Sequence, residues 1–410
     1  MVDSVSIALI ISALIVLIGF LANILFDRTG VPDMLILIFL GAIFGPIFGV
    51  FDPEAIKSFA PFIAALALAY ILFDGGMGLN IKRVLINSPR AVLLAFLTFI
   101  FSVLGVGLFM TIVFQMPIIY GLLFGSMLGG SSSVIVVSLA SKIKMNEKGA
   151  IVLILESALT DIFCIVISLS LIDIIITGQA NVSTIALGIA GKFLIGTLIG
   201  LLLGFTWLFA LRKVALVPFS YMLTIGIVLL GYAVSESVGG SGALSALIFG
   251  LILGNERDIR NLLKQNNISY QPNGKVCLSV SKGLKRFEAE VAFLIRTFFF
   301  VFLGIIFTCS SIMFLIGGIA VSCILILTRL GGVWLVTLKS TLKKEREIMT
   351  VLLTRGLAAA VLATLPAQYG LEYSDLFVSI AVVVIVTTAI VATVGSLLIS
   401  RQRKRTVEEN

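Results

Sequence analysis

Histidine is absent from this chain. That absence removes the side chain that most often serves as a proton shuttle near neutral pH or as a ligand for zinc. Any response to pH must therefore rest on carboxylates or on amines in unusual surroundings. Cysteine is scarce. The four residues, Cys164, Cys277, Cys309 and Cys323, show no CxxC spacing, and three lie in apolar segments. Neither a disulfide framework nor a thiolate metal site is expected, and no cofactor. Charge is scarce as well, at 12% of residues. No polar stretch is long enough for a soluble domain. The formal net charge of +8 does not imply nucleic acid, because the basic residues fall in short loops between apolar runs.

What the chain has in abundance is apolar sequence: 59% of its 410 residues are hydrophobic, and the mean hydropathy is +1.18. A soluble fold cannot bury that much apolar surface. Runs long enough to cross a hydrocarbon core recur throughout, about thirteen in all. They extend approximately over Val5 to Phe26, Met34 to Val50, Phe59 to Phe73, Ala91 to Phe114, Ile118 to Ala140 and Gly149 to Ile176. Then follow Ile185 to Leu211, Phe219 to Val238, Gly242 to Gly254, Ala292 to Phe307, Ile312 to Leu338, Ile348 to Leu365 and Leu376 to Ile399. The second, ninth and tenth are short, as spans that line a cavity often are. The N-terminal run lacks a basic leader and reads as a retained first span, not a signal peptide.

The loops test this partition. Those after odd-numbered spans carry Arg28; Lys82, Arg83 and Arg90; Lys142, Lys144 and Lys148; Arg212 and Lys213; a basic stretch from Arg257 to Arg286; Lys339, Lys343, Lys344 and Arg346; and the tail after Arg401. Loops after even-numbered spans are neutral or acidic apart from Lys57, with Asp52, Glu54, Glu372 and Asp375. The positive-inside rule then places the N-terminus outside and the C-terminus in the cytoplasm, the pattern of a multi-pass protein of the cell membrane. The longest loop, Asn255 to Glu290, reads as a cytoplasmic linker. Thirteen or so spans suit two repeats of roughly six, inverted relative to one another. The fold class expected is an all-α polytopic membrane protein.

Ionisable residues inside such spans are expensive, about 2.5–3.5 kcal/mol each at the bilayer centre, and are candidates for function. The sixth span carries the densest set, ILESALTDIFCIV. Glu156 and Asp161 lie roughly 140° apart around a helix and face different ways. Ser157 shares a face with Asp161, and Thr160 one with Glu156. Glu156 needs a cation at similar depth, and either Arg329 or Arg355 offers one. No basic residue is obvious at the depth of Asp161. An unpaired carboxylate in a partly wet cavity can exchange a proton for a cation, unless Thr160 and the serines hold it neutral. In the fifth span, Gly129 to Ser133 make poor helix. An unwound stretch there frees carbonyls that, with Ser131 and Ser132, can ligate a dehydrated cation. Arg355-Gly356 interrupts the twelfth span in a comparable place. Two broken helices crossing would bring half-helix ends together. Asp74, before two glycines at the end of the third span, either feeds cations to a funnel or is an interfacial charge. Asp173, Glu236, Arg296 and Lys192 lie near span ends and read as snorkelling.

These residues resemble the monovalent cation/proton antiporters, nearest their NhaP-type sodium/proton branch. VPDMLILIFLGAIFGP resembles a second-span signature, and FDGGMGLN the third-span FEGG pattern with Asp74 in the acidic position. ESALTD is similar to a sixth-span pattern ending in Asn-Asp, and TRGLAAAVLA to the twelfth-span RG pattern. The resemblance implies that Asp161 binds cation and proton in turn, and that Glu156 pairs with Arg329. It implies a homodimer in which core helices, about 91–176 and 312–399, move against scaffold helices, about 5–73 and 185–307, with a short tail at 401–410. Two positions depart from the pattern. Thr160 stands where the family has Asn. Ser131, Ser132 and Ser133 replace Thr-Asp-Pro and look more like the Ser-Ser-Thr of the potassium-efflux branch.

The expected activity is electroneutral exchange of a monovalent cation, sodium foremost, for protons. Exchange of potassium, or sodium-driven symport of an organic anion, is the alternative. Symport would call for cationic or aromatic groups around the breaks, and Arg355 alone answers. A membrane-embedded metalloenzyme would need ligands that a chain without histidine lacks. A channel fits less well with one mid-span acid. The only metal expected is a monovalent cation, Na+, K+ or Li+.

Overall fold

The computed structural model describes residues 4–47, 53–78, 88–132, 135–136, 139, 143, 145–178, 182–214, 220–256, 258–259, 274–307, 312–338 and 340–408. Ser133, Lys82, Arg83, Cys309 and, in the stretch expected to link two halves, residues 257 and 260–273 lie outside them. The described residues form helices and no strands. In order they are α1 (Ser4–Thr29), α2 (Asp33–Ala42), α3 (Pro53–Gly78), α4 (Ser88–Val113), α5 (Ile118–Met127), α6 (Glu147–Thr177) and α7 (Val182–Val214). There follow α8 (Ser220–Ser237), α9 (Gly242–Gly254), α10 (Gly274–Ile306), α11 (Ile312–Thr337), α12 (Arg346–Val351), α13 (Leu357–Gln368) and α14 (Ser374–Glu408).

Among the described residues eight helices are long and apolar enough to cross a membrane, and five shorter apolar ones accompany them. The short ones, Asp33–Gly45, Ala65–Gly78, Ile118–Met127, Gly242–Gly254 and Leu357–Gln368, fall on the second, third, fifth, ninth and twelfth expected spans. The tenth span is not short. Its apolar part runs over Gly283–Ile306, within a helix that begins at Gly274. The stretch read as linker is amphipathic there. Lys285, Arg286 and Glu290 are exposed, while Leu284 and Glu288 are buried. A hydropathy reading averages the two faces and hides the helix.

The chain divides into two compact units. The first contains residues 1–64, 87–178 and 297–410. In it α4 packs on α5, α6 and α11, α11 on α14, and α13 on α14, α6 and α5. The other contains residues 65–86 and 179–296, with α9 against α7 and α8. Its core gathers Phe73 and Met77 of α3, Trp207 and Leu211 of α7, Val228 of α8, Phe249 and Leu253 of α9 and Leu284 of α10. Trp207 Nε1 donates to Thr224 Oγ1 at 3.0 Å, which gives the buried indole its partner.

Helices lacking a hydrophobic drive toward one another associate through close packing of small residues. The crossing of α3 and α9 shows this. A Cβ added at Gly76 would collide with the Leu247 carbonyl, and one at Gly250 with the Phe73 carbonyl. Backbone atoms cannot rotate away as a side chain can. Gly250→Val is therefore expected to destabilise this unit by about 1–3 kcal/mol. Gly226→Ala, where an added Cβ meets nothing within 4 Å, is the control. Thermal melting in detergent checks the difference, and equal melting of the two variants would contradict it.

Candidate functional site

Two helices of the first unit are interrupted in mid-course. The fifth apolar segment is helical to Met127, and residues 128–132 leave the helix. The first half of the twelfth, α12, ends at Val351, and residues 352–356 are non-helical before α13 begins. Glycine accounts for part of each interruption, with Gly129 and Gly130 in one and Gly356 in the other. The two breaks meet. The Ser132 N–H donates to the Thr354 carbonyl at 2.7 Å, and a Cβ at Gly356 would lie 2.5 Å from Ser132 Cβ and Oγ. A side chain larger than hydrogen at that position would force the breaks apart.

Each break is capped by an arginine. Arg329, on α11, donates from Nε to the Met349 carbonyl at 3.0 Å and from Nη2 to the Leu352 carbonyl at 3.3 Å. Arg355, within the twelfth-segment break, reaches the other one, where its Nη1 donates to the carbonyls of Gly129 and Gly130. Its own N–H donates to Thr388 Oγ1 on α14 at 3.1 Å. Both arginines are only 2% exposed. They supply donors where helical ones are missing and place positive charge at the carbonyl ends of helix dipoles.

α6 lies against these breaks. Its start is marked by Asn146, whose side chain accepts from the Lys148 N–H. Glu156 is buried and takes a hydrogen bond from Arg329 Nη1 at 2.6 Å. Ser131 Oγ also donates toward it, at 3.4 and 3.3 Å from the two oxygens. Ser157 Oγ donates to the Ser131 carbonyl at 2.5 Å. Thr160 Oγ1 accepts from the Ser131 N–H at 3.3 Å and donates to the Ser157 carbonyl at 2.9 Å. Asp161 sits on the neighbouring face. A Cβ at Gly130 would be 3.3 Å from its Oδ1. No hydrogen bond or ion pair to a described residue engages that carboxylate, and it is partly exposed. Arg355 lies within electrostatic range.

The structure thus gathers Glu156, Ser157, Thr160, Asp161, Ser131, Ser132, Arg329 and Arg355 in one place. Of the two arginines weighed for Glu156, Arg329 makes the ion pair. Asp74 belongs to the other unit. It stands half-buried on the last turns of α3, within electrostatic range of Arg296. Three contributors escaped the sequence reading. Thr354 and Thr388 position the twelfth-segment break; Thr354 adjoins the marked Arg355-Gly356 pair without itself being singled out, and nothing in the sequence surroundings of Thr388 marks it. Cys164 presses on the Gly130 position, its Sγ 2.9 Å from where a Cβ would be. Its spacing of three from Asp161 on a helix was a usable signal.

The arrangement sets an acid beside hydroxyls at the junction of two helix breaks, a setting suited to a small cation that sheds its water. Over 419 residues the chain is 27% identical to the K(+)/H(+) antiporter NhaP2 of Shewanella sp. strain ANA-3, covering 99% of this chain and 68% of that protein. It is 24% identical over 290 residues to the Na(+)/H(+) antiporter 1 of Methanocaldococcus jannaschii, covering 68% of this chain and 63% of that one. Its fold is similar to the solved structure of the sodium proton antiporter MjNhaP1 from Methanocaldococcus jannaschii at pH 8, with a TM-score of 0.78 at 21% identity over 97% and 99% of the two chains. The family model described as sodium/hydrogen exchanger, transmembrane, matches residues 10–399. The chain belongs to the sodium/hydrogen exchanger family.

Proposed function

We propose that this protein is a secondary antiporter that exchanges a monovalent cation for a proton by competition at Asp161. One observation carries the reading. Of two acids on adjacent faces of α6, Glu156 is consumed in an ion pair, while Asp161 has no partner among the described residues and stands at the junction of two broken helices. A carboxylate so placed can accept either a proton or a bare cation, but not both. Ser157, Thr160, Ser131 and Ser132 are the oxygen donors offered to the cation. Glu156 and Arg329 are assigned a structural role, and Arg355 an auxiliary one in holding the breaks. Asp74 is assigned to the approach path for cations. Alternating access follows from movement of the core helices, about 91–176 and 312–399, as a body within a homodimer. The N-terminus is assigned to the outer side of the cell membrane and the C-terminus to the cytoplasm.

Sodium is the first substrate assigned. A second reading, potassium, is favoured by the run of serine hydroxyls where a further carboxylate would tighten a sodium site, and by the name of the Shewanella relative. Purified protein in liposomes with a trapped pH dye, challenged with Na+, K+ and Li+ in turn, separates the two.

Asp161→Asn should abolish cation-driven proton movement in that assay while leaving the protein folded. Transport retained near the wild-type rate would sink the assignment.

Glu156→Ala strands Arg329 in the interior, a loss of about 3–5 kcal/mol. The double variant with Arg329→Ala should be less unstable than the sum of the two single ones, as thermal melting would show. Additive losses would mean that the pair contributes nothing as a pair.

Exchange should also be indifferent to membrane voltage. Asp161 carries one proton or one monovalent cation, so the loaded site has the same charge in both directions. Glu156 stays paired and cancels. A thiocyanate gradient of either direction imposes a potential across the liposomes while the cation gradient is held fixed. A rate that changes with the sign of that potential would show a second proton in each cycle.

A further inference from the structure

We propose that Thr354 is a further ligand of the transported cation, and the oxygen that the twelfth segment contributes to the Asp161 site. The proposal rests on the reading of Asp161 as the exchange carboxylate. It concerns a side chain to which that reading gives no part, since all the oxygens assigned so far come from α6 and the fifth segment.

The first observation is where Thr354 stands. It lies in the twelfth-segment break, where residues 352–356 are non-helical. Two contacts bracket it against the other break. Its own carbonyl accepts from the Ser132 N–H at 2.7 Å, and two residues further on a Cβ at Gly356 would lie 2.5 Å from Ser132 Oγ. Asp161 touches the same short stretch, its Oδ1 3.3 Å from where a Cβ on Gly130 would be. From Gly130 to Ser132 the backbone spans at most about 7 Å. That stretch carries the acid at one end and Thr354 at the other, with Ser131 and Ser132 along it.

The second observation is the state of the hydroxyl. Thr354 is 0% exposed, and its Oγ1 has no hydrogen-bond partner among the described residues. Thr98, Thr337, Thr388 and Thr393 return their hydroxyls to their own helices, to the carbonyls of Leu94, Val333, Val384 and Ala389. The break denies Thr354 that geometry. A buried hydroxyl without a partner costs stability, whereas valine would fill a similar volume without that cost. A position that keeps the hydroxyl all the same calls for a guest.

The chemistry of the oxygen says which guest. Unlike a guanidinium N–H, a hydroxyl has lone pairs to offer a cation. It is also neutral, so it adds a ligand without adding charge and leaves the one-for-one exchange at Asp161 intact. With Thr354 included, the ligand set draws on both breaks. It is complete only while they stay in contact, which ties ion binding to the junction itself.

The test uses the full-length protein. Thr354→Val removes the oxygen and keeps the volume, Thr354→Ser keeps the oxygen, and Thr354→Ala removes oxygen and bulk together. Exchange in liposomes with a trapped pH dye, driven by Na+, K+ or Li+, gives KM and the maximal rate. Melting in detergent gives stability. Thr354→Val should raise the KM of the preferred cation roughly tenfold, with the maximal rate within about twofold of wild type. Thr354→Ser should keep KM within about twofold of wild type. Thr354→Val should melt no lower than wild type, because it deletes only an unpartnered hydroxyl. An unchanged KM in Thr354→Val, a KM raised only together with a lowered melting temperature, or Thr354→Ser as impaired as Thr354→Val would each overturn the proposal. Should Thr354→Val not fold, the KM of Thr354→Ala against that of Thr354→Ser decides. Exchange equally intact in wild type and Thr354→Val would sink this ligand alone. A wild-type protein that exchanges none of the three cations would sink the antiport reading, and this ligand with it.

Discussion

Peptide groups released from a helix inside a membrane must find partners within the protein, since lipid offers none. That requirement shapes the centre of this molecule. Two helices are interrupted at nearly adjacent points, and each interruption sheds carbonyls and N–H groups. Arg329 takes the carbonyls of Met349 and Leu352. Arg355 takes those of Gly129 and Gly130. The Ser131 peptide is held by Ser157 and Thr160 of α6, and the Ser132 N–H by the Thr354 carbonyl. The breaks are therefore not loose. They are fixed by side chains from helices on several sides, and that support makes them usable as a site.

The two guanidinium groups bring a charge problem of their own. Burying a cation costs several kcal/mol unless an anion and further hydrogen bonds accompany it. Arg329 has both, since it shares Glu156 with the Ser131 hydroxyl and bonds two carbonyls. Glu156 is thereby committed. Its side chain links α6, α11 and the fifth-segment break, so displacing it would disturb three elements at once. Arg355 has carbonyls but no carboxylate at hydrogen-bonding distance among the described residues. Its charge is left to act through space on Asp161. The ordering of roles among the acids follows from these contacts and not from their separate chemistry.

Much of this could be read from the chain. Apolar runs and the sidedness of basic loops marked out the helical membrane fold, because both report directly on transfer from water to lipid. The interruptions announced themselves as Gly129-Gly130 and Arg355-Gly356, since glycine and arginine are out of place in mid-span. Helical spacing put Ser157 beside Asp161 and turned Glu156 away. Other features were not legible. The choice between Arg329 and Arg355 for Glu156 depends on how α6, α11 and α12 are set side by side, which no single-helix pattern encodes. Thr354 and Thr388 act through a peptide carbonyl and a hydroxyl brought close only by folding. The length of α10 was masked because its N-terminal part is amphipathic, so that average hydropathy falls while one face stays buried.

The contrast between Glu156 and Asp161 also bears on how a site can be both firm and reversible. A carrier must bind its ion well enough to select it and weakly enough to let it go. Here the firmness resides in groups that never need to change: the paired Glu156 and Arg329, and the hydroxyls bonded to the Ser131 peptide. On the proposed reading the variable part is one carboxylate on the adjacent face of the same helix. Because Asp161 bears none of the bonds that hold the breaks, its charge can be satisfied by a proton or a cation without loosening them. In the proposed antiport cycle, separating the two duties onto neighbouring faces of α6 would allow repeated exchange at the point where the fold is most interrupted.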